Sequence, residues 1–403
     1  LLRHPTVILS FVTLVLAGIS LSVNNEAGKA FEEELEFVKV FVYFCLFLAV
    51  INTPARLQGV IAVVALCMTV TATVAVLHYY KFIDIEILKV QEEVLDVQVD
   101  GEDVMIRRLR FTGILHDANE VGVFVSVLTF LCGYQLTNKK LGMLRFLWSV
   151  PIGIFLYSIF LTMSRGGLLA FLTGLTLFSL YAFRPKLSYA GAPRKSSMMG
   201  LVFLGLAVPL VLIAFGGRQT EISTNATTAQ HRFGLWSDWL QEFRENPLIG
   251  VGPKIMSTDI NPETMAFVGD RKLLAHNSYL QPFADLGFLG GMSFLGAVGF
   301  AFITLNRFSY DKTMILDPDL ARLQPYLMAA LGAYAVGFFT LTINYILPTF
   351  FVLALPVTYY GVTKSYPPVE RPSLSLEALI KIGIASVGFL AFTYGMIMVM
   401  PKQ

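Results

Sequence analysis

Residues 216–254 read GGRQTEISTNATTAQHRFGLWSDWLQEFRENPLIGVGPK, and they begin the main polar segment between strongly apolar runs. Their pattern predicts a helix over residues 228–245, which should end at Asn246-Pro247 because proline cannot continue a helix. A glycine turn follows, and the chain re-enters an apolar run at residues 276–291, HNSYLQPFADLGFLGG. We therefore expect a large loop over residues 216–278 that contains an amphipathic helix.

One face of this predicted loop helix combines an arginine with aromatic side chains. An arginine in such a place needs a partner, so we expect an anion or a carboxylate to meet it there. We predict that Arg232 and Trp236 contact a substrate. A period of 3.6 residues gives the members of this face as Arg232, Trp236, Trp239 and Phe243.

The composition indicates an integral membrane protein. Hydrophobic residues make up 55% of the 403 residues and charged residues only 14%, with a mean hydropathy of +0.65, whereas soluble domains carry about a quarter charged residues. A spanning helix needs about 20 apolar residues, and about eleven segments qualify. We predict an all-α, polytopic bundle that forms a single domain over residues 1–403. The predicted spans are 6–23, 37–53, 57–78, 114–136, 146–163, 167–183, 199–216, 279–305, 324–343, 345–362 and 377–399.

Basic residues predict the orientation, because lysine and arginine concentrate in cytoplasmic loops. The intervening loops are acidic or long, so the loop over 216–278 should lie outside the cytoplasm. The net charge of +2 gives no indication of a nucleic-acid partner. Because the chain starts at Leu1 and not at methionine, we expect the natural N-terminus to be missing. The basic loops contain Arg56; Lys139, Lys140 and Arg145; Arg184, Lys186, Arg194 and Lys195; Arg307, Lys312 and Arg322; and Lys364 and Arg371.

Two further polar motifs fall on the predicted outer side. The turn SRGG at 164–167 joins two long apolar runs, and its glycines should permit the tight connection. Arg165 in this turn is either a snorkelling arginine or a functional cation. Its predicted place on the same side of the membrane as Arg232 and His276 favours a function. In HDANEVG, residues 116–122, Asp117 or Asn119 either caps a helix or lines a site.

The loop over residues 79–113 alternates apolar residues in a way that fits a short hairpin. Its arginines, Arg107, Arg108 and Arg110, either contact an anion or form a solvated run beside acidic neighbours, and the second interpretation is favoured.

His276-Asn277-Ser278 stands at the mouth of an apolar run. Asn277 or Ser278 should cap the next helix, whose free N–H groups suit a phosphate. A lone loop histidine is usually structural, but its place at the membrane border beside two arginines predicts a role for His276. Asn277 and Asn119 are further candidate substrate ligands.

Three motifs in order, SRGGLLA at 164–170, RFGLW to VGPK at 232–254 and HNSYLQPFADLGFLGG at 276–291, resemble the O-antigen ligase and polymerase superfamily. HDANEVG is similar to an Asp-Pro-Asn element of that family, with Ala118 in place of the proline. The resemblance covers about residues 114–300 and implies a fold related to the polytopic C-type glycosyltransferases. It also implies that Arg165, Arg232 and His276 are the family's two functional arginines and its histidine.

The resemblance implies transfer of a glycan from an undecaprenyl-diphosphate carrier to a lipid or glycan acceptor at the periplasmic face of the bacterial inner membrane, among membrane lipids. Two guanidiniums can hold the diphosphate, and neutral imidazole suits a general base, so attack opposite the leaving group would invert the anomeric centre. No metal or cofactor is required. Related alternatives are a polymerase and a protein O-oligosaccharyltransferase.

Two rivals differ in mechanism or class. A metal-dependent oligosaccharyltransferase would use the acidic cluster Glu32–Glu34. A membrane transporter would use intramembrane polar residues, but the sequence has no pair of broken helices, and its candidate site residues lie in an outer loop.

Overall fold

The structure is a computed structural model. The predicted span at 199–216 lies outside the residues that it describes, and so do the side chains of the acidic cluster Glu32–Glu34. The structure describes residues 1–24, 27–85, 88, 91–99, 102–111, 115, 117–183, 226–253, 275–309 and 313–399, with side chains omitted at 27–34, 91–106 and 226–231.

The described chain is largely helical, and every predicted span within it overlaps a helix. A 3₁₀ helix at Lys139–Trp148 leads directly into α5. The α-helices are α1 (Pro5–Asn24), α2 (Ala27–Val50), α3 (Pro54–Tyr79), α4 (Ala118–Leu136), α5 (Ser149–Leu161), α6 (Arg165–Ala182), α7 (Ala226–Glu245), α8 (Gln281–Arg307), α9 (Pro318–Thr340), α10 (Leu347–Val362) and α11 (Leu376–Val399).

Seven helical segments in the described ranges are long and apolar enough to cross a membrane. The other helices include α2, whose first half contains four glutamates, and α10, which has only 16 residues. The total of about eleven spans therefore stays a prediction. The seven segments are Pro5–Asn24, Pro54–Tyr79, Ala118–Leu136, Lys139–Leu161, Arg165–Ala182, Gln281–Arg307 and Leu376–Val399.

α4 lies at the centre of the bundle and α11 at its edge. Of the apolar window of α4, 78% is buried, against 11% for α11. α4 packs against α5, α6 and α9, and it meets α6 where a Cβ on Gly167 would lie 2.9 Å from Gly122 Cα. The prediction that glycines make the turn before α6 is wrong: Met163 has the positive φ of 50°. The glycine allows the two backbones to touch.

One antiparallel hairpin and one short antiparallel pair of strands that are distant in sequence correct the all-α prediction. β1 (Gln91–Val99) pairs with β2 (Glu102–Arg108), and β3 (Met314–Ile315) pairs with β4 (Ser365–Tyr366). The hairpin confirms the alternating pattern in the loop over residues 79–113. The end of β2, which contains Arg107 and Arg108, packs against the helical bundle.

α8 is broken at Gly287, where φ is 73° and ψ is −173°. The turn after α7 fills the break with backbone hydrogen bonds. Phe288 N donates to Pro247 O at 2.8 Å, and Val251 N donates to Ala284 O at 2.9 Å. The break therefore leaves these polar groups of the backbone paired, as a membrane protein requires.

Candidate functional site

The aromatic face of α7 anchors this helix on the start of α8. Trp239 is buried, and the ring of Phe243 meets that of Phe283 edge-on with 5.9 Å between centroids. Trp236 Nε1 donates to Ala275 O at 3.0 Å. The predicted helix and its shared face are confirmed, but the aromatic side chains pack against protein. Because the indole N–H of Trp236 already donates to Ala275 O, only the carbon atoms of its ring are left for the predicted contact with substrate.

His276 directly follows the carbonyl that Trp236 holds. It is partly exposed and has a φ of 47°, a left-handed conformation that side chains other than glycine seldom adopt. Such strain persists only where the surroundings enforce it, and it clusters at functional positions. The described contacts link His276 to Arg232 through Trp236, which lies one turn from Arg232 on α7.

Asn277 and Ser278 fix the segment that carries His276. Asn277 is buried, and its Oδ1 accepts from Tyr279 N at 3.0 Å and Leu280 N at 3.1 Å. The prediction that Asn277 or Ser278 caps α8 is wrong, because Leu280 holds the N-cap position without a side-chain bond and Asn277 instead closes the turn before the helix. Ser278 Oγ donates to Leu341 O at 2.7 Å and accepts from Ile343 N at 2.8 Å. These bonds tie the mouth of α8 to the end of α9.

A second part of the site forms at the α5–α6 turn. Ser164 caps α6, since its Oγ accepts from Gly167 N at 3.1 Å. The same hydroxyl donates to Asn119 Oδ1 at 2.9 Å. Asp117 caps α4, where its Oδ1 accepts from Asn119 N at 2.7 Å. Arg165 is the first residue of α6 and is exposed. The two hydrogen bonds of Ser164 fix the turn from which its side chain extends.

Arg108 joins this part of the site from the end of the hairpin. It is buried; its Nε donates to Thr162 O at 2.9 Å and its Nη2 to Asn119 Oδ1 at 2.7 Å. Leu109 N also donates to Leu161 O at 2.9 Å. The interpretation of this arginine as part of a solvated run is therefore wrong. Its burial depends on the strand register, which no single-sequence pattern specifies.

The charges of these segments act on Arg232. Burial lowers the pKa of its guanidinium first, and the positive charges of Arg165 and Arg108 lower it further, while Asp117 raises it. The hairpin, the start of α4 and the α5–α6 turn thus bring Arg108, Asp117 and Arg165 within electrostatic reach of Arg232. Because arginine keeps its proton in proteins, this excess of positive charge favours binding of a polyvalent anion.

Glu120 is a further candidate that sequence reasoning missed. Its Oε2 is buried and has no hydrogen-bond partner within the described residues. It lies in the first turn of α4, next to Asn119. Glu120 belongs to the motif HDANEVG, but its burial does not follow from the sequence.

Comparison with known proteins gives one family. Residues 150–295 match the model of the family described as O-antigen ligase, and this range contains Arg165, Arg232 and His276. The match confirms the resemblance to the O-antigen ligase and polymerase superfamily. A search of curated proteins gave no match.

Proposed function

From the O-antigen ligase domain matched by residues 150–295, we propose that this protein transfers a glycan from an undecaprenyl-diphosphate carrier to an acceptor hydroxyl. The transfer takes place at the periplasmic face of the inner membrane, without a metal, and inverts the anomeric centre. The observation that carries the proposal is the grouping of Arg108, Arg165 and Arg232 by their charges. A diphosphate is the anion that this grouping suits.

The arginines stabilise the leaving group. When the bond from the anomeric carbon to the diphosphate oxygen breaks, the electron pair stays on that oxygen. Guanidiniums present a planar fork that pairs with two phosphate oxygens at once. Fixed cations at the point where charge develops lower the barrier, because they need no reorganisation during the reaction. Arg165 and Arg232 contact the diphosphate, and Arg108 holds Asn119 and the turn before Arg165.

His276 takes the proton. The acceptor oxygen forms the new glycosidic bond, and its hydrogen moves to the neutral imidazole, a group suited to act as a general base. The left-handed φ of His276 and the bond from Trp236 to Ala275 hold the backbone of this segment beside the loop helix. Glu120 is the alternative base, since it carries a buried carboxylate oxygen with no partner in the described part of the chain.

The acceptor distinguishes the related activities. A ligase transfers the glycan to lipid A core, a polymerase to another lipid-linked glycan, and an oligosaccharyltransferase to protein. We favour the ligase. A transporter is disfavoured because the polar groups exposed by the break in α8 are hydrogen-bonded to the turn after α7, as in the bond from Gly252 N to Asp285 O at 3.0 Å.

The test is transfer by the purified full-length protein, with an undecaprenyl-diphosphate glycan as donor and each acceptor in turn. Arg165→Lys keeps the charge but loses the fork, so transfer should fall by about 10²–10³-fold. Arg244→Lys is the matched control, because Arg244 is an exposed arginine near the end of α7. Normal transfer by Arg165→Lys would contradict the site. Loss of wild-type activity in excess chelator would instead favour the metal-dependent rival.

A further inference from the structure

A groove lies between α8 and α11, away from the candidate site. Its volume is about 690 Å³, within the roughly 300–1,000 Å³ of typical ligand sites. One face of each helix lines it, with Gly299 and Ile303 on α8 and Ile382 and Ala385 on α11. Ile303 is 44% exposed, so the groove opens sideways to the surrounding lipid.

The two ends of the groove differ in chemistry. At the end near the start of α8, Tyr279, Phe339 and Phe389 close it as an aromatic cluster, with 4.6 Å between the ring centroids of Tyr279 and Phe339. At the other end its lining is polar and includes Arg307 and Lys381. An apolar channel with a cationic mouth matches an acyl chain that carries an anionic headgroup.

The mouth has a net positive charge. Arg307 and Lys381 contribute two positive charges, and Glu377 contributes one negative charge. Lys381 Nζ lies 2.6 Å from Glu377 Oε1, but both side chains are more than 70% exposed, so this pair is worth little and can open to a phosphate. Basic pockets between transmembrane helices bind anionic headgroups in this way.

The depth of the groove corresponds to one leaflet. Gly296 and Arg307 line it and lie about 16 Å apart along α8, at 1.5 Å per residue. This distance is about half of the 30 Å hydrocarbon core. The aromatic cluster separates the groove from the end of the bundle at which the candidate site lies. A polyprenyl donor with its diphosphate at that end would therefore not place its head at Arg307.

We propose that this groove is a structural lipid site that holds one anionic phospholipid of the leaflet opposite the candidate site, with its phosphate on Arg307 and Lys381 and one acyl chain between α8 and α11. The orientation predicted from basic loops makes this the cytoplasmic leaflet. The lipid would join α11 to the bundle, which explains how a helix with so little buried surface keeps its place.

Native mass spectrometry tests the proposal on the full-length protein, extracted from vesicles of equal phosphatidylglycerol and phosphatidylcholine. The wild type should retain one phosphatidylglycerol. Gly299→Leu should lose it, because a Cβ at Gly299 meets no atom within 4 Å and the side chain fills the groove without a clash. Gly383→Leu, on α11 and outside the lining, has equal room and should retain it.

Lys381→Gln tests the headgroup separately, since the exposed side chain has no part in packing. Retention of phosphatidylglycerol should fall by about tenfold, which corresponds to the loss of one charged hydrogen bond. Equal retention of both lipids by the wild type, or retention by Gly299→Leu, would overturn the proposal. Displacement of phosphatidylglycerol by added undecaprenyl diphosphate would also overturn it. The measurement involves no glycan transfer, so its outcome is independent of the proposed function.

Discussion

At the scale of single residues, Arg108 shows how one buried guanidinium organises the site. It bonds both Thr162 O and Asn119 Oδ1, and a lysine ammonium cannot reproduce that fork. Arg108→Lys should therefore weaken donor binding by about tenfold or more, measured as a rise in the KM for the donor. Arg107→Lys is the control, because Arg107 stacks over Tyr79 at 5.4 Å. Equal losses from the two substitutions would show that the effect does not depend on the bonds that Arg108 makes to Thr162 and Asn119.

His276 carries the second prediction at this scale. His276→Ala should lower kcat by about 10²–10⁴-fold with little change in donor binding, because a general base acts in the transition state. Should His276→Ala remain active while Glu120→Gln loses the same factor, the role of base passes to Glu120. Both variants are first checked for insertion and a normal thermal transition.

At the scale of elements, the turn after α7 and the break in α8 depend on two glycines. Gly250 and Gly287 both have a φ of 73°, and a Cβ on Gly287 would lie 2.3 Å from Leu248 O. Gly287→Ala should destabilise the protein by about 1–3 kcal/mol, from backbone strain and the forced separation of the two segments. Thermal unfolding in detergent measures the loss. Gly299→Ala is the control: a Cβ at this position has no atom within 4 Å, so the substitution should leave stability unchanged or raise it. Comparable losses of stability in the two variants would show that the contact between the turn after α7 and the break in α8 does not require Gly287.

The helices could be predicted because hydropathy and length act locally, and the α7 face followed from its period. Partners were harder to predict. The sequence placed Trp239 beside Arg232 correctly but did not show that α8 would cover it. Arg107 and Arg108 are neighbours with the same side chain, and only the docking of the hairpin makes one of them buried. The sequence predicts that the glycines of the SRGG motif form a turn, whereas Gly167 is instead required for the close contact between α6 and α4.

At the scale of the whole molecule, orientation is the prediction that connects all the others. Lys140 follows the end of α4, whereas Asp117 at its start belongs to the site, so the two lie at opposite ends of the bundle. In a background without the three native cysteines, Arg244→Cys should react with a membrane-impermeant thiol reagent in intact spheroplasts, and Lys140→Cys only after lysis. Labelling of both from the outside would refute the topology and with it the periplasmic reaction.

The bond between Arg108 and Asn119 has a consequence for how the gene of this protein can recombine. The range that matches the family, residues 150–295, contains Arg165, Arg232 and His276, but Arg108 and Asn119 are encoded upstream of it. A recombination that exchanges only the matched range therefore combines an incoming α5–α6 turn with the resident Arg108 and Asn119. Such a chimera will be competent only when the incoming Ser164 and the resident Asn119 still fit each other. The segment that must be inherited as one unit for this site thus begins near the hairpin, upstream of the matched range that starts at residue 150.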